Sequence, residues 1–246
     1  MMSLASMGRA PGQISFLISC SNCLICRWAM PAMYSSGRVN TATSGSQLFS
    51  IIVDNQQNLP YGRLMDTKTQ ILSTAADLLQ RQSLNGFSLQ DIADRVGIRK
   101  ASLFHHYRNK DALVADVIDT SIQALRRHIE AQQGQPAARQ LEAFFAIYLN
   151  SIGPGRRLCP VGGVLGDWDH LDQQLRQRAQ RLLDLQHDWL TGIALSGQCA
   201  ENSEQAEHWA ERVLMLVQGG LFLSRVKGSP LPIEQAISEV RRELKR

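Results

Sequence analysis

The stretch from Arg95 to Lys110 is the part of the chain best suited to bind a polyanion. It contains five Arg or Lys residues and no Asp or Glu, although the formal net charge of all 246 residues is only +4. A local excess of positive charge of this kind is the electrostatic footprint of a DNA-binding surface. The alternative is a small helical packing unit with a solvated basic face.

Other residues with chemical potential do not form a complete catalytic site. His170 follows Asp169 and His187 precedes Asp188, but adjacent residues on a helix do not face each other. Neither pair has a nucleophile at a motif-defined position, and no His-x-x-x-His pair or glycine-rich phosphate loop occurs. We therefore interpret these residues as solvated helix faces and predict no enzymatic activity.

The five cysteines are Cys20, Cys23, Cys26, Cys159 and Cys199. The first three superficially resemble part of an iron–sulfur run, but no fourth cysteine follows at a usable distance. An odd number without a paired framework indicates a reducing compartment. We expect no metal site, no cofactor and a cytoplasmic location.

Two short helices joined by a tight turn are predicted to hold the basic stretch. Ser88 and Asp91 have the spacing of a capping box, which starts a helix. An apolar stripe follows at helical spacing: Leu89, Ile92, Ala93 and Val96. Gly97 then ends this helix, since glycine adopts the left-handed conformation without steric cost.

The second helix is predicted over residues 99–107. At about 100° per residue, Leu103 and Tyr107 fall on one side of it. The opposite side carries small or hydrogen-bonding side chains: Ala101, Ser102 and His105. Arg99 and Lys100 project from its leading end, where recognition helices usually contact DNA. A length of about 12–14 Å suits the major groove, which is about 12 Å wide.

This block resembles a known family. Residues 97–113, GIRKASLFHHYRNKDAL, are similar to the DNA-binding signature of the tetracycline-repressor (TetR) family of one-component regulators. Residues 71–79 and 86–88 resemble the first helix of that family and its junction, so the resemblance covers residues 65–113. It implies an all-helical dimer whose affinity for DNA is controlled by a small molecule.

The resemblance also implies roles for individual residues. Ser88, Ser102 and Lys110 would bind phosphates, and Lys100 and His105 would lie near the bases. Phe104 departs from the family, which often has a tyrosine there, and Arg99 would take over that contact. The full set predicted to contact DNA is Ser88, Arg99, Lys100, Ala101, Ser102, Phe104, His105, His106, Tyr107 and Lys110.

The chain is predicted to be all-α, with three regions. Residues 1–64 are rich in Ser, Met and Gly without a sustained period, and we interpret them as disordered or as sequence added by a misplaced start codon. Residues 65–112 form the helix-turn-helix domain, and residues 113–246 form a helical domain for effector binding and dimerisation. The later helices are expected at 109–132, 137–151, 161–168, 172–195, 203–227 and 232–245. No apolar run reaches the length of a membrane span.

Two apolar stripes near the end of the chain suit helix pairing. One comprises Trp209, Val213, Leu216, Val217, Gly220 and Leu221, and the other comprises Ile233, Ala236, Ile237, Val240 and Leu244. Such stripes also fit the core of a single subunit. Because two-fold DNA recognition needs a dimer, and the resemblance places the dimer here, we expect a homodimer formed by the last two helices.

An effector pocket is expected around a glycine-rich helix start at residues 159–168. Its predicted lining is Phe144, Phe145, Tyr148, Cys159, Trp168 and Trp189. The alternative is a tight helix crossing with buried aromatic rings. A thiol near a helix N-terminus beside Arg156 and Arg157 should have a lowered pKa, so Cys159 is either a reactive thiol or a small buried apolar side chain.

The sequence thus predicts a homodimeric, ligand-released repressor that binds a palindromic operator. The alternative is a helical dimeric scaffold that does not bind DNA.

Overall fold

The computed structural model describes residues 66–153 and 157–243, and every regular element in these ranges is helical. The predicted all-α class is confirmed. Residues 1–64, including Cys20, Cys23 and Cys26, lie outside the described residues. Three helices form an N-terminal head: α1 (Thr67–Gln82), α2 (Leu89–Val96) and α3 (Lys100–His106).

Six further helices form the body of the protein. They are α4 (Lys110–Ala131), α5 (Ala137–Ala146), α6 (Pro160–Leu165), α7 (Gln173–Ser196), α8 (Ser203–Lys227) and α9 (Leu231–Glu243). A π-helical segment, Ile147–Ile152, continues α5. Helix α4 leaves the head and packs against α1 and α7, while α8 packs between α7 and α9. Within the described ranges, no helix is both long and apolar enough to cross a membrane.

Short polar side chains start five of these helices. Each accepts a hydrogen bond from the backbone N–H three residues ahead: Asp66, Ser88, Asn109, Asp172 and Asn202. These bonds satisfy N–H groups that lack a partner within the helix, and losing one typically costs about 1 kcal/mol. The boundaries of the head are therefore set by local sequence.

Glycine brings α6 into direct contact with α1. A Cβ atom at Gly163 would lie 2.6 Å from the backbone oxygen of Leu79. Next to this contact, the Leu158 N–H donates a hydrogen bond of 2.9 Å to the backbone oxygen of Gln80. The Arg225 guanidinium of α8 also donates to the backbone oxygen of Arg81, at 2.6 Å. The C-terminal end of α1 is thus fixed to the body through its own backbone.

An ion cluster around Asp77 reinforces this junction. Arg157 donates to Asp77 Oδ1 through Nε and Nη2, at 2.9 and 2.6 Å, and Arg81 Nε donates to the same oxygen at 2.7 Å. Burial by itself would raise the pKa of Asp77, but the hydrogen bonds and charges of Arg81 and Arg157 outweigh it and lower the pKa. Asp77 is therefore a carboxylate that joins the head to the segment before α6.

The two apolar stripes predicted for dimerisation are used within one subunit instead. Their buried members are Trp209, Val213, Val217, Gly220, Leu221, Ile233, Ile237 and Val240. A Cβ atom at Gly220 would lie 2.9 Å from the Cα atom of Ile233, so α8 and α9 pack backbone to backbone. Leu244 lies outside the described residues. The structure buries these side chains within one subunit, so they are not exposed for contact with a second copy. A homodimer formed by the last two helices stays a prediction.

Replacing Gly163 with alanine should destabilise the protein by about 1–3 kcal/mol, the usual effect of adding a methylene to a packed site. The backbone of Leu79 cannot yield as a flexible side chain would. Gly166→Ala is the matched control, since a Cβ atom there meets no described atom within 4 Å. Urea unfolding measures both, and equal stabilities for the two variants would contradict the contact.

Asp77→Asn should lower the free energy of unfolding at neutral pH by about 1.5–3 kcal/mol, as expected for hydrogen bonds to a charged group. The lowered pKa in the folded state means that this stabilisation is fully present above the ordinary value of 3.8 and is lost as pH falls through the lower, folded value. Urea unfolding of wild type and variant should therefore converge as pH falls below about 4. Exposed Asp184→Asn is the control, and a difference that stays constant down to about pH 3 would refute the assignment.

Candidate functional site

The turn between α2 and α3 is defined by a capping box and a glycine. The backbone N–H of Ser88 donates to Asp91 Oδ2 at 2.7 Å, and the backbone N–H of Asp91 donates to Ser88 Oγ at 3.2 Å. Gly97 ends α2 with a φ of 76°, in the left-handed region. This region favours glycine, so the turn follows from the sequence. Helix α3 therefore starts at a fixed place relative to α2.

Helix α3 turns almost all of its side chains outward. Within α3, only Leu103 is buried, and its fractional exposure is 0%. Its exposed side chains, together with that of the N-cap residue, are Arg99, Lys100, Ala101, Phe104, His105 and His106, while Ser102 is half-buried. Seven residues at about 1.5 Å each make a rod of about 10 Å, which fits a groove about 12 Å wide. The outer face combines cations, hydrogen-bonding groups and an aromatic ring.

Tyr107 anchors α3 from behind. Its ring is buried, and its hydroxyl donates to Asp116 Oδ2 at 2.7 Å. Burial, together with the hydrogen bond to Asp116, raises the pKa of the Tyr107 hydroxyl. Lys68 completes the group through an ion pair of 3.2 Å with Asp116. Tyr107 is thus a buried residue that holds α3 in place, whereas we predicted from the sequence that it contacts DNA.

Lys110 is also more enclosed than the sequence indicated. Its ammonium donates to the backbone oxygen of Phe87 at 2.8 Å and lies 4.7 Å from the centre of the Phe87 ring. Burial lowers the pKa of Lys110. An ammonium group carries three N–H donors, so two remain to interact with an anion. Ser88 is exposed, and its hydroxyl donates to Asp91 at 2.8 Å.

A second candidate site is a cavity at the junction of head and body. Its volume is about 30 Å³, and its walls come from α1, α4, the π-helical segment, α6 and α7. Tyr148 and Cys159, two of the predicted pocket residues, line it. Gln80 of α1, Ser121 of α4 and Gln186 of α7 add polar groups that the sequence analysis did not identify. The cavity therefore combines apolar walls with several uncharged polar side chains.

A chain of hydrogen bonds runs behind the cavity. The Cys159 thiol donates to Gln218 Oε1 at 3.2 Å, and Gln218 Nε2 donates to the Tyr148 hydroxyl at 3.0 Å. The Tyr148 hydroxyl in turn donates to Gln186 Oε1. Gln186 Nε2 donates to the backbone oxygen of Leu182 at 2.9 Å, so both ends of this amide are used. The network holds the polar wall in one arrangement.

Burial corrects the prediction for Cys159. Burial raises the pKa of Cys159, and it outweighs the hydrogen bond that the Gly162 N–H donates to the sulfur and the bond between the thiol and Gln218 Oε1. Arg157, expected to lower this pKa, is instead bound to Asp77 at 2.6 Å, and Arg156 lies outside the described residues. A raised pKa keeps the thiol protonated at neutral pH, as its donation to Gln218 requires. Cys159 is a buried hydrogen-bonding side chain rather than an activated thiolate.

The other predicted pocket residues lie beside the cavity rather than in its wall. Phe144 and Phe145 are fully buried, and the Phe144 ring packs against Tyr148 and Trp189, at centroid distances of 5.4 and 5.8 Å. Trp189 Nε1 also donates a hydrogen bond of 3.1 Å to Gln140 Oε1. Trp168 begins a short 3₁₀ turn after α6 and is half-buried. The Phe144 ring thus packs against both Phe145 and Trp189, and these three rings lie outside the cavity wall.

The histidine–aspartate pairs do not form a catalytic site. His187 Nδ1 lies 3.9 Å from Asp188 Oδ1, which is closer than we expected for adjacent residues on a helix. The Asp188 side chain is nevertheless 79% exposed. Asp167 accepts a hydrogen bond from Asn85 of the head. Both arrangements are ordinary contacts at or near the surface.

Comparison with known proteins agrees with this geometry. Residues 71–117 match the family model of the bacterial regulatory proteins, tetR family. Over 172 residues the chain is 26% identical to an uncharacterized HTH-type transcriptional regulator in the lacX 3' region of Lactococcus lactis subsp. lactis, a match that covers 66% of this chain and 85% of that protein. A match of 51 residues at 35% identity, to the HTH-type transcriptional repressor KstR2 of Rhodococcus jostii, covers 21% of this chain and 25% of that protein.

The fold is similar to the crystal structure of a TetR transcriptional regulator from Legionella pneumophila. The TM-score is 0.68 at 24% sequence identity, and the match covers 74% of this chain and 98% of that one. At this identity the likeness concerns the fold alone. Residues 71–117 are thus similar to bacterial regulatory proteins of the tetR family, and the chain has the fold of TetR transcriptional regulators.

Proposed function

We propose that this protein is a ligand-released repressor that binds a palindromic operator as a homodimer. The observation that carries the proposal is the exposed polar face of α3, held from behind by Leu103 and Tyr107. A helix with one structural side and one free side can enter the major groove without disturbing its own domain. One relative is named as a transcriptional repressor, and this name supports repression rather than activation. A repressor acts where the DNA is, so we expect the protein in the cytoplasm.

Within this proposal, the outer face of α3 divides into two functions. Arg99 and Lys100, exposed at the leading end, would bind phosphate or the first base edges. His105 lies farther along the same exposed face and would contact a base edge, since an imidazole can donate or accept a hydrogen bond. Phosphate contacts set position and total affinity, whereas base contacts set sequence preference. Ser88, Ser102 and Lys110 would add phosphate contacts around the rim.

The dimer is assigned to the outer face of α8. Exposed apolar side chains recur there at positions i, i+7 and i+11: Met215, Phe222 and Val226, with Gly219 exposed between them at i+4. These four positions fall within about 60° of one another around the helix. A contiguous apolar stripe is unusual on a surface that stays in water. A second copy is the fitting occupant, because reading two half-sites about 34–36 Å apart requires two recognition helices related by a two-fold axis.

Two substitutions on α3 should separate the two kinds of DNA contact. Arg99→Ala should weaken binding to operator and random duplex alike and reduce the slope of log K against log salt by about one. His105→Ala should cost about 1–3 kcal/mol on the operator and relax the preference at one base position. Fluorescence anisotropy on an operator selected from a random pool measures both.

Arg127→Ala is the control for this experiment, because Arg127 is exposed near the far end of α4, about 25 Å along the helix from Lys110. A loss for His105→Ala that is as large on random DNA as on the operator, or a loss for Arg99→Ala confined to the operator, would contradict the assigned roles. Absence of any preferred sequence for the wild type would point to the helical scaffold instead.

Phe222→Asp should convert the dimer to a monomer at micromolar concentration without unfolding the subunit. The Phe222 side chain is 57% exposed in the subunit, so a charge there is costly only against a partner. Sedimentation equilibrium measures the mass, and circular dichroism checks the helical content. Leu165→Asp, at an exposed apolar residue on α6, should leave the mass unchanged. A Phe222→Asp dimer as tight as wild type would exclude this face.

A further inference from the structure

Gln80, a residue of the cavity wall, carries a buried hydrogen-bond acceptor without a partner. Among residues 66–153 and 157–243, its Oε1 atom is the only buried side-chain oxygen or nitrogen without a hydrogen-bond partner. The residue is 6% exposed. Buried polar atoms in native proteins nearly always have a partner, so an acceptor without one, on a residue that lines a cavity, points to a donor supplied by a ligand that enters there.

The remaining walls narrow the chemistry of that ligand. Within the part of the chain that the structure describes, no Lys, Arg, His, Asp or Glu lines the cavity. Burying an ionised ligand without a counter-charge would be strongly unfavourable. Apolar contacts come from Leu125, Ile147, Val161 and Leu182. The walls suit an uncharged molecule with an apolar body.

We infer that Gln80 binds the effector, and that the effector is an uncharged molecule with an apolar body and one hydroxyl or N–H group that donates to Gln80 Oε1. The inference rests on the proposed function of a ligand-released regulator. Because Gln80 belongs to α1, the DNA-binding head itself supplies part of the effector site. No relay through the body is then needed for the head to respond to the ligand.

The size of the cavity indicates how binding acts on the head. The volume of about 30 Å³ holds a water molecule or two, whereas a cavity that accepts benzene is about 150 Å³. An aromatic ligand must therefore part the walls. Gly163 is in direct contact with the backbone of Leu79, one residue before Gln80, so there is no free space between α6 and α1 at this point. Helix α2 packs on α1, and α3 packs on α2, so a displaced α1 carries the recognition helix with it.

Matched aromatic probes test the chemistry of the site. Phenol, anisole and benzoate, with their counterparts 2-naphthol, 2-methoxynaphthalene and 2-naphthoate, are titrated into the full chain by calorimetry and thermal shift. We expect the two hydroxyl compounds to bind at least tenfold more tightly than the ethers, and the carboxylates not to bind. Equal affinity for hydroxyl compound and ether, preference for the carboxylate, or no binding by any probe up to its solubility would overturn the inference.

Gln80→Met tests the residue, because methionine keeps the length and removes the acceptor. It should weaken binding of 2-naphthol at least tenfold while leaving the unliganded melting temperature equal or higher, since an unsatisfied buried group is removed. Gln123→Met, at an exposed glutamine on α4, is the matched control and should bind like wild type. Undiminished binding by Gln80→Met would overturn the assignment.

Operator binding without ligand is measured on the same preparations. If wild type binds no operator, the proposed function fails, whatever the probes do. Intact operator binding combined with undiminished probe binding by Gln80→Met refutes this inference alone. Gly163→Ala, which parts α6 from α1 without ligand, should lower operator affinity at least tenfold relative to Gly166→Ala. Operator affinity equal to wild type in a folded Gly163→Ala protein would overturn the wedge mechanism.

Discussion

The backbone contact between Gly163 and Leu79 fixes the position of the DNA-binding head on the rest of the protein. Around it, Asp77, Gln80 and Arg81 of α1 are bound by Arg157, the Leu158 backbone and Arg225. Backbone atoms cannot rotate away as side chains do, so this junction has few intermediate arrangements. Interfaces of that kind tend to be bistable rather than continuously deformable, which would suit the ligand-released DNA binding that we propose.

The cavity that we propose as the effector site adjoins the same junction. A network of Cys159, Gln218, Tyr148 and Gln186 holds one part of its wall, while Gln80 of α1 has an acceptor without a partner. If an effector binds there as proposed, it would bind more tightly where α1 has moved to admit it. Its differential affinity for the two arrangements would then set its control over DNA binding.

The helix-turn-helix was predictable from sequence because local signals determine it. Ser88, Asp91 and Gly97 set the ends of α2, and the spacing of Leu103 and Tyr107 identifies the inner side of α3. The face of α8 that we propose for the dimer was not predictable, because α8 is apolar on two sides and only tertiary packing decides which side is buried. Part of the cavity lining was predicted from the sequence, since Tyr148 and Cys159 were identified as residues around the unusual glycine-rich segment. Gln80 and Gln186 interrupt apolar stripes, a pattern that signals a polar pocket only once the neighbouring helices are known. The pKa of Cys159 was misjudged because Arg157, adjacent in sequence, is bound elsewhere in space.

In α3 the buried side chain that holds the helix in place is distinct from the exposed side chains, and this separation affects how the protein can evolve. Leu103 is the one buried side chain of that helix, and Tyr107 holds the end of the helix through its hydrogen bond to Asp116. The exposed positions of α3 make no buried contacts, so single substitutions there should change stability little. If α3 reads DNA as proposed, its sequence preference can therefore change, or be redesigned, without altering the packing of α1 against α6.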